Sequence, residues 1–147
     1  QPLPRILPEV TFLGAQLVFQ PYEFHGYYAP VPLFFEAGAA GASTIEMSAP
    51  RVYATVEYAA RLAELYVVDE YISVERRGAV NALRFITKNL IGIFPSEGRS
   101  ADWHMPYMSL PLPQPLAVDV GDTVHVRFQY EPGASIESLM SSLQATK

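Results

Sequence analysis

The 147-residue sequence contains no cysteine. A disulfide framework and a thiolate metal site are thereby excluded, and cysteine usage leaves the redox compartment undetermined. Cationic charge is also scarce: ten Lys and Arg stand against fifteen Asp and Glu, a formal net charge of −5, and only Arg76 and Arg77 are adjacent. A surface that grips nucleic-acid phosphates or an anionic bilayer needs the opposite balance, so no nucleic acid and no membrane is expected as partner. No apolar run approaches the roughly 20 residues of a membrane-spanning helix. The start Gln1-Pro2-Leu3-Pro4 lacks a basic-then-apolar leader, and the cytoplasm is the default compartment. The chain begins without methionine, so the expectation is a processed protein or a domain cut from a longer one.

Self-sufficient chemistry is missing as well. His25, His104 and His125 stand far apart, with no His-x-His or His-x-x-x-His spacing for a metal. No Gly-x-Ser-x-Gly nucleophile elbow occurs. Asp69, Glu70 and Glu75 share one β segment, but adjacent residues of a strand point to opposite faces, which makes these acids solvated or turn-side charges. A nucleotide or methyl-donor pocket needs closely packed glycines where a strand enters a helix. The sequence instead has Gly38-x-x-Gly41 with no series of βα units after it, and residues 33–43 read as a small-residue linker or protruding arm. Neither a cofactor-binding nor a metal-binding residue is assigned.

What the sequence does have is apolar content and proline. Half of its residues are apolar, enough for the core of one domain over residues 1–147. Thirteen prolines suit many short strands joined by rigid connections better than a helical bundle. The clearest strand is Thr123–Tyr130, where Thr123, His125, Arg127 and Gln129 alternate with Val124, Val126, Phe128 and Tyr130. Gly121-Asp122 before it supplies a turn after Ala117–Val120, so residues 102–130 read as strand, proline-bounded link, short strand, turn and long strand. Val10–Phe19 has the composition of a buried strand, and Gly14 within it marks a bulge. Residues 21–32 are aromatic and proline-rich without a period and read as irregular. Arg51–Tyr58 alternates with Val52, Ala54, Val56 and Tyr58 on one face; Tyr66–Glu75 and Ala79–Ile93 form a hairpin about Arg76-Arg77-Gly78. Helix or strand stays open at 59–65 and at 135–143, where Ser135 is an available N-cap. The expectation is an all-β single barrel or sandwich of short antiparallel strands with one or two short helical segments.

Taken in order, the chain resembles the C-terminal β-barrel domain of the protein arginine methyltransferases over nearly its full length. The resemblance is carried by Arg5-Ile6-Leu7-Pro8, Ile45–Pro50, Tyr66–Val74, the turn at Arg77-Gly78-Ala79-Val80 and Asp102-Trp103-His104-Met105. It continues through Leu110–Leu116 into Val120-Gly121-Asp122-Thr123-Val124, and the order from Trp103 to Gly121-Asp122 is its most specific part.

The resemblance implies a substrate-side domain that does not itself bind S-adenosylmethionine (SAM). In that family the donor pocket and two catalytic glutamates belong to a preceding domain, which would be this chain's first partner. A protein or peptide would be the substrate. Trp103 matches the tryptophan of the family's Thr-His-Trp loop; the two residues before it are Ala101 and Asp102, so no role of the family's histidine carries over. Trp103, Asp102, His104 and Tyr107 are the substrate-groove candidates, and no catalytic residue is assigned. Residues 29–47 sit where the family has its dimerisation arm, short and weakly helical here, which leaves a homodimer open. From a different class comes the alternative of a free-standing β-sandwich binding or assembly module, with Tyr22–Tyr28, Trp103 and Tyr107 facing a ligand or subunit.

Overall fold

Period-two runs of β-branched and aromatic residues build almost all of the regular structure. The computed structural model describes residues 10–21, 25–28, 31–36, 44–57, 63–94, 99–104 and 107–147. The strands are β1 (Val10–Phe19), β2 (His25–Tyr28), β3 (Val31–Glu36), β4 (Ile45–Glu46), β5 (Arg51–Glu57) and β6 (Tyr66–Ser73). After them come β7 (Gly78–Phe94), β8 (Arg99–His104), β9 (Tyr107–Val118), β10 (Thr123–Tyr130), helix α1 (Ile136–Ser142) and β11 (Gln144–Thr146).

The strands form two antiparallel sheets that pack as an open sandwich rather than closing into a barrel. The larger runs β2-β3-β9-β7-β1-β4, with β5 also paired to β1 and β8 also paired to β7. The smaller runs β11-β10-β6. Ala15, Leu17, Leu83, Phe85 and Leu110 of the larger sheet meet Val68, Ile72, Val124, Val126 and Phe128 of the smaller, and Leu139 and Leu143 close one end. Each such aliphatic side chain contributes about 2 kcal/mol of transfer free energy. The alternation expected of residues 123–130 is present, with Val124, Val126 and Phe128 buried and Thr123, Arg127 and Gln129 exposed.

Several expectations change once pairing is seen. Tyr66–Glu75 and Ala79–Ile93 do not form a hairpin: β6 pairs with β10, whereas β7 pairs with β1, β8 and β9. Residues 74–77 therefore cross between sheets. Likewise β9 and β10 belong to different sheets, so the turn at Gly121, whose φ of +88° suits glycine, is a corner. The two crossings lie side by side, with Val74 N donating to Asp122 O at 2.8 Å and Gly121 N to Val74 O at 2.9 Å. Met47 joins them, accepting from Glu75 N and donating to Leu17 O, each at 2.9 Å.

The strands are not uniformly short, since β7 has 17 residues and β9 has 12. The prolines of residues 111–115 do not end β9. Pairing passes from Ala82↔Pro111 to Val80↔Leu116, so the intervening residues bulge out and prolines 113 and 115 sit exposed, where no ladder N–H is required. Residues 21–32 are not wholly irregular, because β2 and the start of β3 lie there. The linker reading of 33–43 is corrected at its start by β3, and its remaining residues 37–43 lie outside the described residues.

Gly14 does mark a bulge: pairing passes from Leu13↔Ala54 to Gly14↔Val52, which leaves Tyr53 as the extra residue. A Cβ on Gly14 would stand 3.3 Å from the Arg51 carbonyl oxygen, so any larger residue would require the β5 backbone to give by a few tenths of an ångström. The extra residue also shifts the phase of β5. Val52 is exposed while Tyr53, Ala54 and Val56 are half-buried, in place of a single continuous apolar face. At the C-terminus both open readings are present in succession, a helix capped by the Ser135 side chain, which accepts from Ser138 N, and then a short strand. Residues 63–65 are not helical, and 58–62 lie outside the described residues.

Candidate functional site

Strand β7 organises the region that the sequence singles out. One of its edges carries β9 over Gly78–Phe85 and then β8 over Lys88–Phe94. Asp102, Trp103 and His104 pair with Leu90, Asn89 and Lys88 respectively. An irregularity flanks this three-residue run, where the register shifts between Leu90 and Gly92 and leaves an extra residue on β7. Bulges re-aim side chains and are frequent beside functional sites. Tyr107 opens β9 on the same edge, opposite Glu36 of β3. The four residues expected at the groove therefore follow one another along one edge of one strand, and Tyr107 is the one whose side-chain contacts are described.

Beneath Tyr107 lies a polar row that crosses the sheet. Gln16, Arg84 and Ser109 are opposite one another on β1, β7 and β9, and all three are buried, Arg84 to 5% exposure. A buried guanidinium needs partners. Arg84 Nη1 donates to Gln16 Oε1 at 2.9 Å and to Glu46 Oε1 at 3.1 Å. The other end of Gln16 is fixed as well, because its Nε2 donates to the Ser48 carbonyl at 2.8 Å. Ser48 Oγ accepts from Leu17 N at 3.0 Å and donates to Ala49 O at 3.0 Å. Residues 107 and 109 share a face of β9, so Tyr107 is the diagonal neighbour of Arg84, and the guanidinium carbon stands 5.2 Å from its ring centroid. A desolvated cation–π contact of this kind contributes about 1–2 kcal/mol.

Where this row reaches the surface, a shallow depression of about 320 Å³ is lined by Gln16, Glu46, Ser48, Ala49, Pro50, Glu75 and Arg76. Its two carboxylates suit a cationic side chain, although Glu46 is already shared with Arg84. A second polar group stands on the outer face of the smaller sheet. His125 lies flat on Tyr71 with ring centroids 4.4 Å apart, its Nε2 meets Asp69 Oδ1, and Arg127 Nε approaches the other Asp69 oxygen at 3.8 Å. These side chains are solvated, and pairs of this kind contribute little. Among the described residues no three His, Asp or Glu gather in a way that could hold a metal ion.

Gln16, Glu46, Ser48 and Arg84 were not singled out by the sequence reading. A signal was present for Arg84, a lone charge inside the apolar run Ala82-Leu83-Arg84-Phe85-Ile86. A charge at a buried strand position implies a partner across the ladder, which Gln16 supplies.

No protein-family model and no curated protein matches the sequence. The fold does have counterparts among solved structures. A chain of the Trypanosoma brucei PRMT1 enzyme–prozyme heterotetrameric complex with AdoHcy matches with a TM-score of 0.56 at 12% identity, over 83% of this chain. The match takes in 47% of that chain, so the present sequence spans about half its length. At this identity the likeness is one of fold, and the sandwich described above is similar in fold to part of that PRMT1 chain.

Proposed function

We propose that this chain is the non-catalytic, substrate-side portion of a SAM-dependent methyltransferase related to the protein arginine methyltransferases. The observation that carries the reading is the fold likeness, which covers most of this chain and about half of a PRMT1 chain. The run Asp102-Trp103-His104, paired with Leu90-Asn89-Lys88 beside a bulge on β7, with Tyr107 opening β9, supports it. In this reading a preceding domain supplies the methyl donor site and the catalytic carboxylates, and the present chain supplies a wall of the groove for a cytoplasmic protein or peptide substrate. The formal charge of −5 favours a basic peptide through electrostatic complementarity.

The test is a methyl-transfer assay with labelled SAM and arginine-rich peptides, run on the full-length parent and on the 147-residue chain. Transfer by the parent and neither transfer nor donor binding by the chain alone is the expected result. Micromolar SAM binding by the isolated chain, measured by calorimetry, would overturn it. A second reading, a free-standing assembly module, draws on Val67 and Tyr71, which are 66% and 62% exposed on the outer face of β6. A stable oligomer with no peptide affinity, seen by light scattering and titration, would favour that reading instead.

A further inference from the structure

We infer that Arg84 is a positioning residue for the Asp102–His104 run, acting through the ring of Tyr107. Three observations converge on it. First, Arg84 is immobilised from behind: it is buried, its Nη1 is shared between Gln16 and Glu46, and Gln16 is itself pinned to the Ser48 carbonyl. A guanidinium held at that end presents a fixed plane to whatever lies over it. Second, what lies over it is the Tyr107 ring at 5.2 Å, and Tyr107 is the first residue of β9. Third, only two residues separate Tyr107 from His104. A chain advances at most about 3.5 Å per residue, so fixing Tyr107 confines His104, the end at which Asp102-Trp103-His104 pairs with Leu90-Asn89-Lys88, to within about 11 Å.

The sole tryptophan of the sequence is Trp103, so its selectively excited emission reports on this run without interference. The arrangement separates two roles for Arg84. Charge balance with Glu46 is a property that lysine reproduces; a broad, delocalised guanidinium over the Tyr107 ring is one that lysine does not. The experiment compares Arg84→Met, Arg84→Lys and Tyr107→Leu. Melting temperature and Trp103 emission and quenching are measured in the 147-residue chain, whose sole tryptophan this is, and KM and kcat for an arginine-rich peptide in the full parent protein. Arg84→Lys is expected to recover most of the melting temperature lost in Arg84→Met while leaving the Trp103 emission displaced, as Tyr107→Leu also does. Peptide KM is expected to rise about tenfold in both, with kcat little changed, as when a wall of the binding groove loses its set position.

Recovery of the wild-type emission by Arg84→Lys, or an unmoved emission in folded Tyr107→Leu, would overturn the inference. If Arg84→Met does not fold, Arg84→Lys and Tyr107→Leu decide it between them. The kinetic arm rests on the methyltransferase reading and the emission arm does not. A parent without transferase activity therefore removes that reading and leaves this inference to be judged by Trp103.

Discussion

Tyr53 occupies its place because β5 carries one residue more than β1 at Gly14. The bulge turns the phenol toward the smaller sheet, where its hydroxyl lies 2.6 Å from that of Tyr130 and its ring centroid 5.3 Å from Phe128. Burial first, and then the hydrogen bond with Tyr130, pushes the Tyr53 pKa well above the usual tyrosine value. The folded state thus holds a proton that the unfolded chain releases near pH 10, so the associated stability is complete below about pH 10 and falls as pH rises beyond it. Tyr53→Phe is expected to cost about 1 kcal/mol at neutral pH, the net value of one hydrogen bond. It should also flatten the alkaline loss, and urea titrations at pH values either side of 10 measure both. At this scale the sequence was partly legible. Gly14 announced the bulge, yet the residue displaced by it lies on another strand, and local pattern does not say which strand will be paired.

At the scale of elements, alternation identified β6 and β10 because each has one buried and one solvated face, and that difference is written at period two. The partner of each strand was less visible. Arg76-Arg77-Gly78 has the chemistry of a turn whether the chain returns beside β6 or departs for the other sheet, and it departs. The same ambiguity hid the corner at Gly121. A Cβ there would meet nothing within 4 Å, so Gly121→Ala isolates the backbone term. Its expected cost is about 1 kcal/mol for a left-handed alanine. Chemical denaturation should show this as a lower midpoint with unchanged m-value, because no surface is uncovered.

The two sheets share one apolar interior, to which Leu110 contributes from the larger and Val126 from the smaller, both fully buried. Leu110→Ala is expected to destabilise the fold by about 3 kcal/mol through lost burial and a cavity. The transition should remain single, with far-UV circular dichroism and Trp103 emission losing signal at the same denaturant concentration. Two transitions would mean that the sheets fold independently. The sandwich as a whole was readable from composition and alternation, whereas its openness was not, since closure depends on which edge strands meet and no residue type encodes that.

The side-by-side crossings at Val74 and Gly121, with Met47 laid against them, have a consequence for the isotope clock of the backbone. Amides outside strands ordinarily trade their hydrogens with solvent in local fluctuations. Here the amides of Met47, Val74, Glu75 and Gly121 each bind a carbonyl of a segment distant in sequence, so releasing one requires prising the two layers apart. In deuterated water those four loop amides should keep their protons as long as the interior of β7 does, so that the corner admits water only when that interior does.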